Sequence, residues 1–155
     1  MATDSINSQQ RAFDEEQERL RVTRNTKKRG EISELAFAHK AATLGFAVSK
    51  PYGDSDRYDF IVHSGEHFWR VQVKSATSMW SGKYTVNIQR HMLHRAIPYT
   101  TDEIDFLAAH IVPENAWFVI PVRAFAPRMV VRVHPRGATK VGPYDQYREA
   151  WHLLA

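Results

Sequence analysis

Cysteine is absent from the 155 residues, which excludes disulfides and thiolate metal sites. No apolar run is long enough to span a bilayer, and no signal-peptide pattern opens the chain. These absences suit a cytoplasmic protein with no membrane partner. The seven glycines form neither a P-loop nor a dinucleotide-binding pattern. A serine-elbow motif is missing as well, and no repeat of useful period appears.

What is present is a soluble, mildly basic chain. Hydrophobic residues make up 43% and charged residues 25%, the balance of a globular protein of one domain. The net charge of +4 is unevenly spread. Residues 1–20 hold five acids and two arginines, which leaves 19 basic and 12 acidic residues, net +7, for residues 21–155. A basic body points to a polyanionic partner. Residues 1–25 read as a polar helix or tail, and residues 26–155 as the folded domain. Between them Arg24, Lys27, Lys28 and Arg29 form a basic joint, either a solvated linker or an arm for phosphates.

From Gly30 the pattern sharpens. The spacing predicts a helix over 31–44, stopped by Gly45. Strands are expected over 46–51, 57–63, 67–76, 83–89, 106–112, 117–122 and 128–134. Residues 143–154 read as a closing helix, with proline in its first turn. Residues 90–101 fit no element clearly. This order predicts an α/β domain with a central mixed sheet flanked by helices.

The stretch 58–74 carries the chemistry. Gly65-Glu66 suits a two-residue type II′ hairpin turn. Ser64 then faces His67, Asp59 falls opposite Gln72, and Lys74 shares the face of Gln72. Tyr58, Phe60, Val62, Trp69, Val71 and Val73 alternate onto one apolar face. Asp59, Ile61, His63, Phe68, Arg70, Gln72 and Lys74 take the other. Asp59 and Lys74 alone could be an ordinary cross-strand ion pair. Glu34 on the preceding helix adds a second acid, beside the small-residue stripe of Ala38 and Ala41 that would pack on the sheet.

Four segments now fall into one order: Gly30-Glu31-Ile32-Ser33-Glu34, Gly45-Phe46-Ala47-Val48, Arg57-Tyr58-Asp59-Phe60-Ile61-Val62, and Arg70-Val71-Gln72-Val73-Lys74. This resembles the PD-(D/E)XK nuclease superfamily. The branch it looks like is the PD-(D/E)XK endonuclease family, associated with group I introns and akin to archaeal Holliday junction resolvases. The resemblance is strongest over 30–76, looser beyond, and does not reach residues 1–25. It implies a restriction-endonuclease-like core and a metal-dependent DNA endonuclease using Mg²⁺, with Mn²⁺ as a substitute. Matched by position, Glu34, Asp59, Gln72 and Lys74 are the catalytic set. Glu34, Asp59, Gln72 and the Val73 carbonyl are the implied metal ligands. DNA is the implied partner, and a homo-oligomer, dimer or tetramer, is expected. Arg24, Lys27, Lys28, Arg29, Arg57, Arg90, His91 and Arg95 are the candidate DNA contacts.

Two positions depart from the family pattern. Tyr58 stands where a proline often does, and Gln72 replaces the usual acid. A homing-endonuclease branch looks similar in using Gln-x-Lys. A junction-selective nuclease and a DNA-binding module without catalysis are the alternatives on the same fold. His91 and His94 could share a helical face, but a zinc site needs more ligands, so a basic patch with Arg90 and Arg95 is the better reading. Asp105 sits where the family carries an aspartate, or simply starts a strand. Trp69, Trp117, Phe118 and Trp151 read as packing residues.

Overall fold

The computed structural model describes residues 2–155, with backbone only for 2–6 and 21–23. The chain divides into two compact units, one ending at Ile32 and one spanning Ser33–Ala155. The first holds helix α1 (Ala2–Arg24) and the opening turns of α2 (Thr26–Thr43). The basic joint is therefore largely helical. Asn25 separates the two helices, and its side chain accepts from the Lys28 N–H at 3.1 Å. That is the helix-start bond asparagine makes well. No helix among the described residues is long and apolar enough to cross a membrane.

The second unit is built on a mixed five-stranded sheet in the order β1-β2-β3-β8-β9. These strands are β1 (Ala47–Ser49), β2 (Phe60–Ser64), β3 (His67–Ala76), β8 (Phe106–Ile111) and β9 (Ala116–Pro121). Only β3 and β8 run parallel. All six residues of β8 are buried. A strand covered on both faces needs such a continuous apolar run. One face packs against Phe37 and Ala41 of α2 and against Ala150, Trp151 and Leu154 near the C-terminus. The other packs against a second, three-stranded sheet in the order β10-β5-β4. Its strands are β4 (Met79–Trp80), β5 (Lys83–Asn87) and β10 (Val130–Val133). The α/β class and the mixed central sheet are as expected; the separate second sheet is not.

The β2–β3 hairpin has the expected register, from Ser64↔His67 to Phe60↔Val71. Gly65 has φ +58, a value its turn requires and few side chains tolerate. The ladder ends at Phe60, so Asp59 lies just outside the strand. Tyr58 packs on the cluster opposite that of Phe60, which corrects its expected place on the Phe60 face. The face carrying Gln72 is not an open polar surface either. The second sheet covers that side, and Gln72 is only 7% exposed.

Residues 143–154 do not form one helix. Two short 3-10 turns, Asp145–Tyr147 and Trp151–Leu154, flank a stretch that runs along β9. Arg148 bridges Phe118 there, and the Glu149 N–H donates to the Trp117 carbonyl at 2.7 Å. Covering an open strand edge won over helix formation. Residues 90–101 hold a two-stranded ribbon, β6 (Arg90–Met92) and β7 (Arg95–Ile97). His91 and His94 therefore share no helical face, and the proposed spacing for a zinc pair fails.

Ser33 and Phe37 fix α2 over the sheet. The Ser33 hydroxyl lies 3.0 Å from His110 Nδ1 in the interior, and His110 stacks on Trp117 with ring centroids 4.2 Å apart. Phe37 is fully buried among Phe60, Trp117 and Trp151, with centroids 5.3–5.8 Å away. We expect Phe37→Ala to cost about 3–5 kcal/mol, read from the denaturation midpoint, because the three rings around it cannot close on the cavity.

Candidate active site

Asp59 sits where the β2–β3 ladder stops. Its own N–H donates to the Val71 carbonyl at 2.9 Å. Its Oδ2 accepts from the Val73 N–H at 2.8 Å. The side chain thus takes a hydrogen bond that a main-chain carbonyl would otherwise accept, and the carboxylate is held against β3 across from Gln72. Burial pushes the Asp59 carboxyl up to about 6; the negative Glu34 adds to this, while the Val73 bond, Lys74 and Lys50 oppose it.

Glu34 reaches the same region from α2, where the Ser33 and Phe37 contacts have fixed the helix. It pairs with the Lys50 ammonium, which extends from the end of β1 and also lies 5.2 Å from the centre of the Phe60 ring. Glu34, Lys50, Tyr58 and Asp59 line a cleft of about 150 Å³ together with Pro51, Gly53, Asp54 and Asp56 of the intervening loop. Lys74 is half-buried on β3 and acts electrostatically on Asp59. Gln72 is buried, and its Nε2 makes only a long contact, 3.4 Å, to the Val73 carbonyl. The cleft thus joins Glu34 to Asp59, while Lys74 approaches Asp59 from β3. Gln72 and Lys74 are not among the cleft's walls.

A second group of charges lies on the other side of Asp59. Tyr99 is buried, and its hydroxyl is pushed up to about 12, first by burial and then by the Asp59 charge. Glu103 pairs with Arg90, faces Arg57 Nε at 3.8 Å, and accepts the Thr100 N–H at 3.1 Å. Asp105 belongs to a different clamp. It accepts from the Arg70 N–H, Nε and Nη2 at 2.8–3.0 Å. Burial works against its charge, but the Arg70 bonds outweigh it and hold the carboxyl below the ordinary range. Asp105 is thereby a brace at the start of β8, the second of the two roles open to it from sequence.

Residues 24–154 match the PD-(D/E)XK endonuclease family. The chain belongs to that family. The fold agrees. A bacterial homing endonuclease, I-Ssp6803I, superposes with a TM-score of 0.74 at 30% identity, covering 84% of this chain and 93% of that one. MepB aligns at 15% identity over 69% of this chain and 81% of that one with a TM-score of 0.41, and carries no weight. No curated protein matches the chain in sequence.

PD-(D/E)XK nucleases use divalent metals, and the donors here can be tested against one. Among the described residues no three His, Cys, Asp or Glu side chains cluster as a metal cage. Glu34 and Asp59 bring two carboxylates to one cleft, hard oxygens of the kind Mg²⁺ takes. Asp59 is desolvated and pressed by the Glu34 charge, and Lys50 already sets a cation beside Glu34. A dication is chemically at home among such groups, so the residues fit.

The other residues marked from sequence are scattered. Arg57 and Arg90 meet at Glu103, while His91 and Arg95 are exposed on the β6–β7 ribbon. Arg24, Lys27, Lys28 and Arg29 lie in the unit that ends at Ile32. Sequence reading missed Lys50, Tyr99 and Glu103. Their only signal was closeness to β1 and to the start of β8, too weak to separate them from surface charges and a core tyrosine.

The raised Asp59 carboxyl links the site to stability. Its folded pKa of about 6 exceeds the ordinary 3.8, so the folded state binds the extra proton between these values. Stability is then full below about pH 4 and falls as pH rises through 6. We expect Asp59→Asn, which keeps an acceptor for the Val73 N–H, to stabilise the metal-free protein at pH 8 by on the order of 2 kcal/mol. The gain should vanish near pH 4, as read by thermal melts in chelator.

Proposed function

We propose that this chain is a metal-dependent DNA endonuclease that hydrolyses phosphodiester bonds, with residues 26–155 as its nuclease domain. The observation that carries the reading is the desolvated Asp59 carboxylate, set beside Glu34 and acted on by Lys74, in a chain of this family. Asp59 and Glu34 hold Mg²⁺, or Mn²⁺ in its place, aided by the Gln72 amide oxygen and the Val73 carbonyl. When bound, the metal makes water more acidic and offsets charge on the reacting phosphate. Lys74 orients the attacking water or holds the scissile phosphate.

Arg57, Arg90, His91 and Arg95 contact DNA from the catalytic unit, and Arg24, Lys27, Lys28 and Arg29 add phosphate contacts from the helical unit. One site per chain cuts one strand, so a duplex break calls for a homo-oligomer, a dimer or tetramer. The likeness to I-Ssp6803I, described as a homing endonuclease, favours a sequence-selective enzyme over a junction-selective one. Gln72 supports the competing reading, a DNA-binding module without catalysis, because an amide stands where the family carries an acid.

Cleavage of plasmid, linear and four-way-junction DNA with and without Mg²⁺ tests the assignment. Lys74→Ala and Asp59→Ala should each lower Mg²⁺-dependent cleavage by about a hundredfold or more while DNA binding persists. A wild type that cuts none of the three in Mg²⁺ or Mn²⁺ hands the case to the binding module. The role of Gln72 is read separately, from cleavage rate against Mg²⁺ concentration. Gln72→Glu should lower the half-maximal concentration by adding a charged ligand, and Gln72→Leu should raise it. Coincident curves would remove Gln72 from the ligand set.

A further inference from the structure

The β6–β7 ribbon stands apart from both main sheets. It forms a two-stranded sheet of its own, with Arg90↔Ile97, His91↔Ala96 and Met92↔Arg95 as opposed pairs. Its turn is Leu93-His94, with φ +49 and +64. Two successive left-handed residues are the mark of a type I′ turn, where Asn-Gly is the favoured pair. A left-handed conformation costs an ordinary L-residue roughly 1–2 kcal/mol. The β2–β3 tip turns on Gly65 at φ +58 and the β4–β5 tip pairs Ser81 at φ +51 with Gly82 at φ +74, so of these three tips the ribbon's alone has no glycine. Leu93 and His94 are thus poor choices for the turn itself. Leu93 is also 88% exposed, so it serves no core.

Charge and position say what the tip meets. Residues 88–101 hold Arg90, His91, His94 and Arg95 and no acid. The base of the ribbon is fixed by the Arg90–Glu103 pair. The same carboxylate faces Arg57, two residues before Asp59. The ribbon is therefore a cationic projection tethered beside the catalytic carboxylate. A two-stranded ribbon is the width the major groove of DNA admits.

We propose that the β6–β7 ribbon reads DNA sequence by entering the major groove, with Leu93 and His94 at the base edges. The proposal rests on the nuclease reading and adds the origin of its selectivity. Leu93 offers methyl groups that suit the C5-methyl of thymine, and His94 and Arg95 offer donors for purine N7 and O6 acceptors. Arg90, paired through one nitrogen with Glu103, also holds the base of the ribbon in place for its DNA contact.

The test is the double variant Leu93→Asn/His94→Gly in the full chain. Asn-Gly suits the turn, so the melting temperature should hold or rise. Wild type and variant are each bound to a randomised duplex pool without Mg²⁺, and the bound fraction is sequenced. Wild type should enrich a defined sequence. The variant should lose about tenfold or more of the preference at a block of adjacent base pairs, the scale of a lost base contact. Its affinity for non-specific duplex should fall less than about threefold, because phosphate contacts carry that binding. Replacing thymine by uracil in that block should weaken the wild type and leave the variant unchanged. An unchanged preference in the variant overturns the proposal. So does a wild type that binds and cuts DNA with no preference, and either result leaves the nuclease reading standing. Binding to no duplex, with no plasmid cleavage, overturns both.

Discussion

The bond from the Val73 N–H to the Asp59 carboxylate is the contact on which the site depends. It forms because the β2–β3 ladder ends at Phe60 while β3 continues. Beyond that point β3 has donors to satisfy, and a side chain satisfies one of them. Asp59 is therefore placed by main-chain geometry and not by a flexible rotamer. The same bond holds the carboxylate where water is scarce, and burial then raises the cost of its charge. A group kept ionised at a cost, next to a second carboxylate, is poised to accept a cation.

Two arginine–carboxylate clamps outside the cleft do different work. Arg70 and Asp105 join β3 to the start of β8, through both main-chain and side-chain bonds. That pair holds the parallel strands in register under the site. Glu103, two residues earlier, ties Arg90 of the ribbon to the Thr100 backbone and faces Arg57. One clamp steadies the floor and the other steadies the approach. Two arginines against one glutamate leave a positive surplus beside a negative cleft. That is a favourable arrangement for a polyanion that must lie against carboxylates.

The hairpin was legible from sequence because its two constraints agree. Gly65 sets the turn, and the period-two pattern of Val62, Val71 and Val73 sets which face is buried. Gln72 and Lys74 could be placed on β3, and Asp59 beside them just ahead of β2, from that register. Glu34 came from an acid beside a small-residue stripe. The C-terminal segment misled for the opposite reason. Its composition favours a helix, but the open edge of β9 offered Arg148 and Glu149 partners that a helix could not.

The chain by itself determined α2 from residue 31 onward but not its start at Thr26, together with the β2–β3 hairpin and the family, since each rests on local periodicity or on residues close in sequence. Tertiary structure decided what covers those elements and which distant charges meet. Lys50 reaches Glu34 only because β1 pairs with β2, and Tyr99 lies near Asp59 only because residues 98–105 return to β3. The burial of Gln72 follows from the second sheet, whose strands come from residues 79–87 and 130–133. No local pattern encodes such meetings. They arise from long-range closure of the chain, where burial on both faces of β8 outweighs the preference of any single segment.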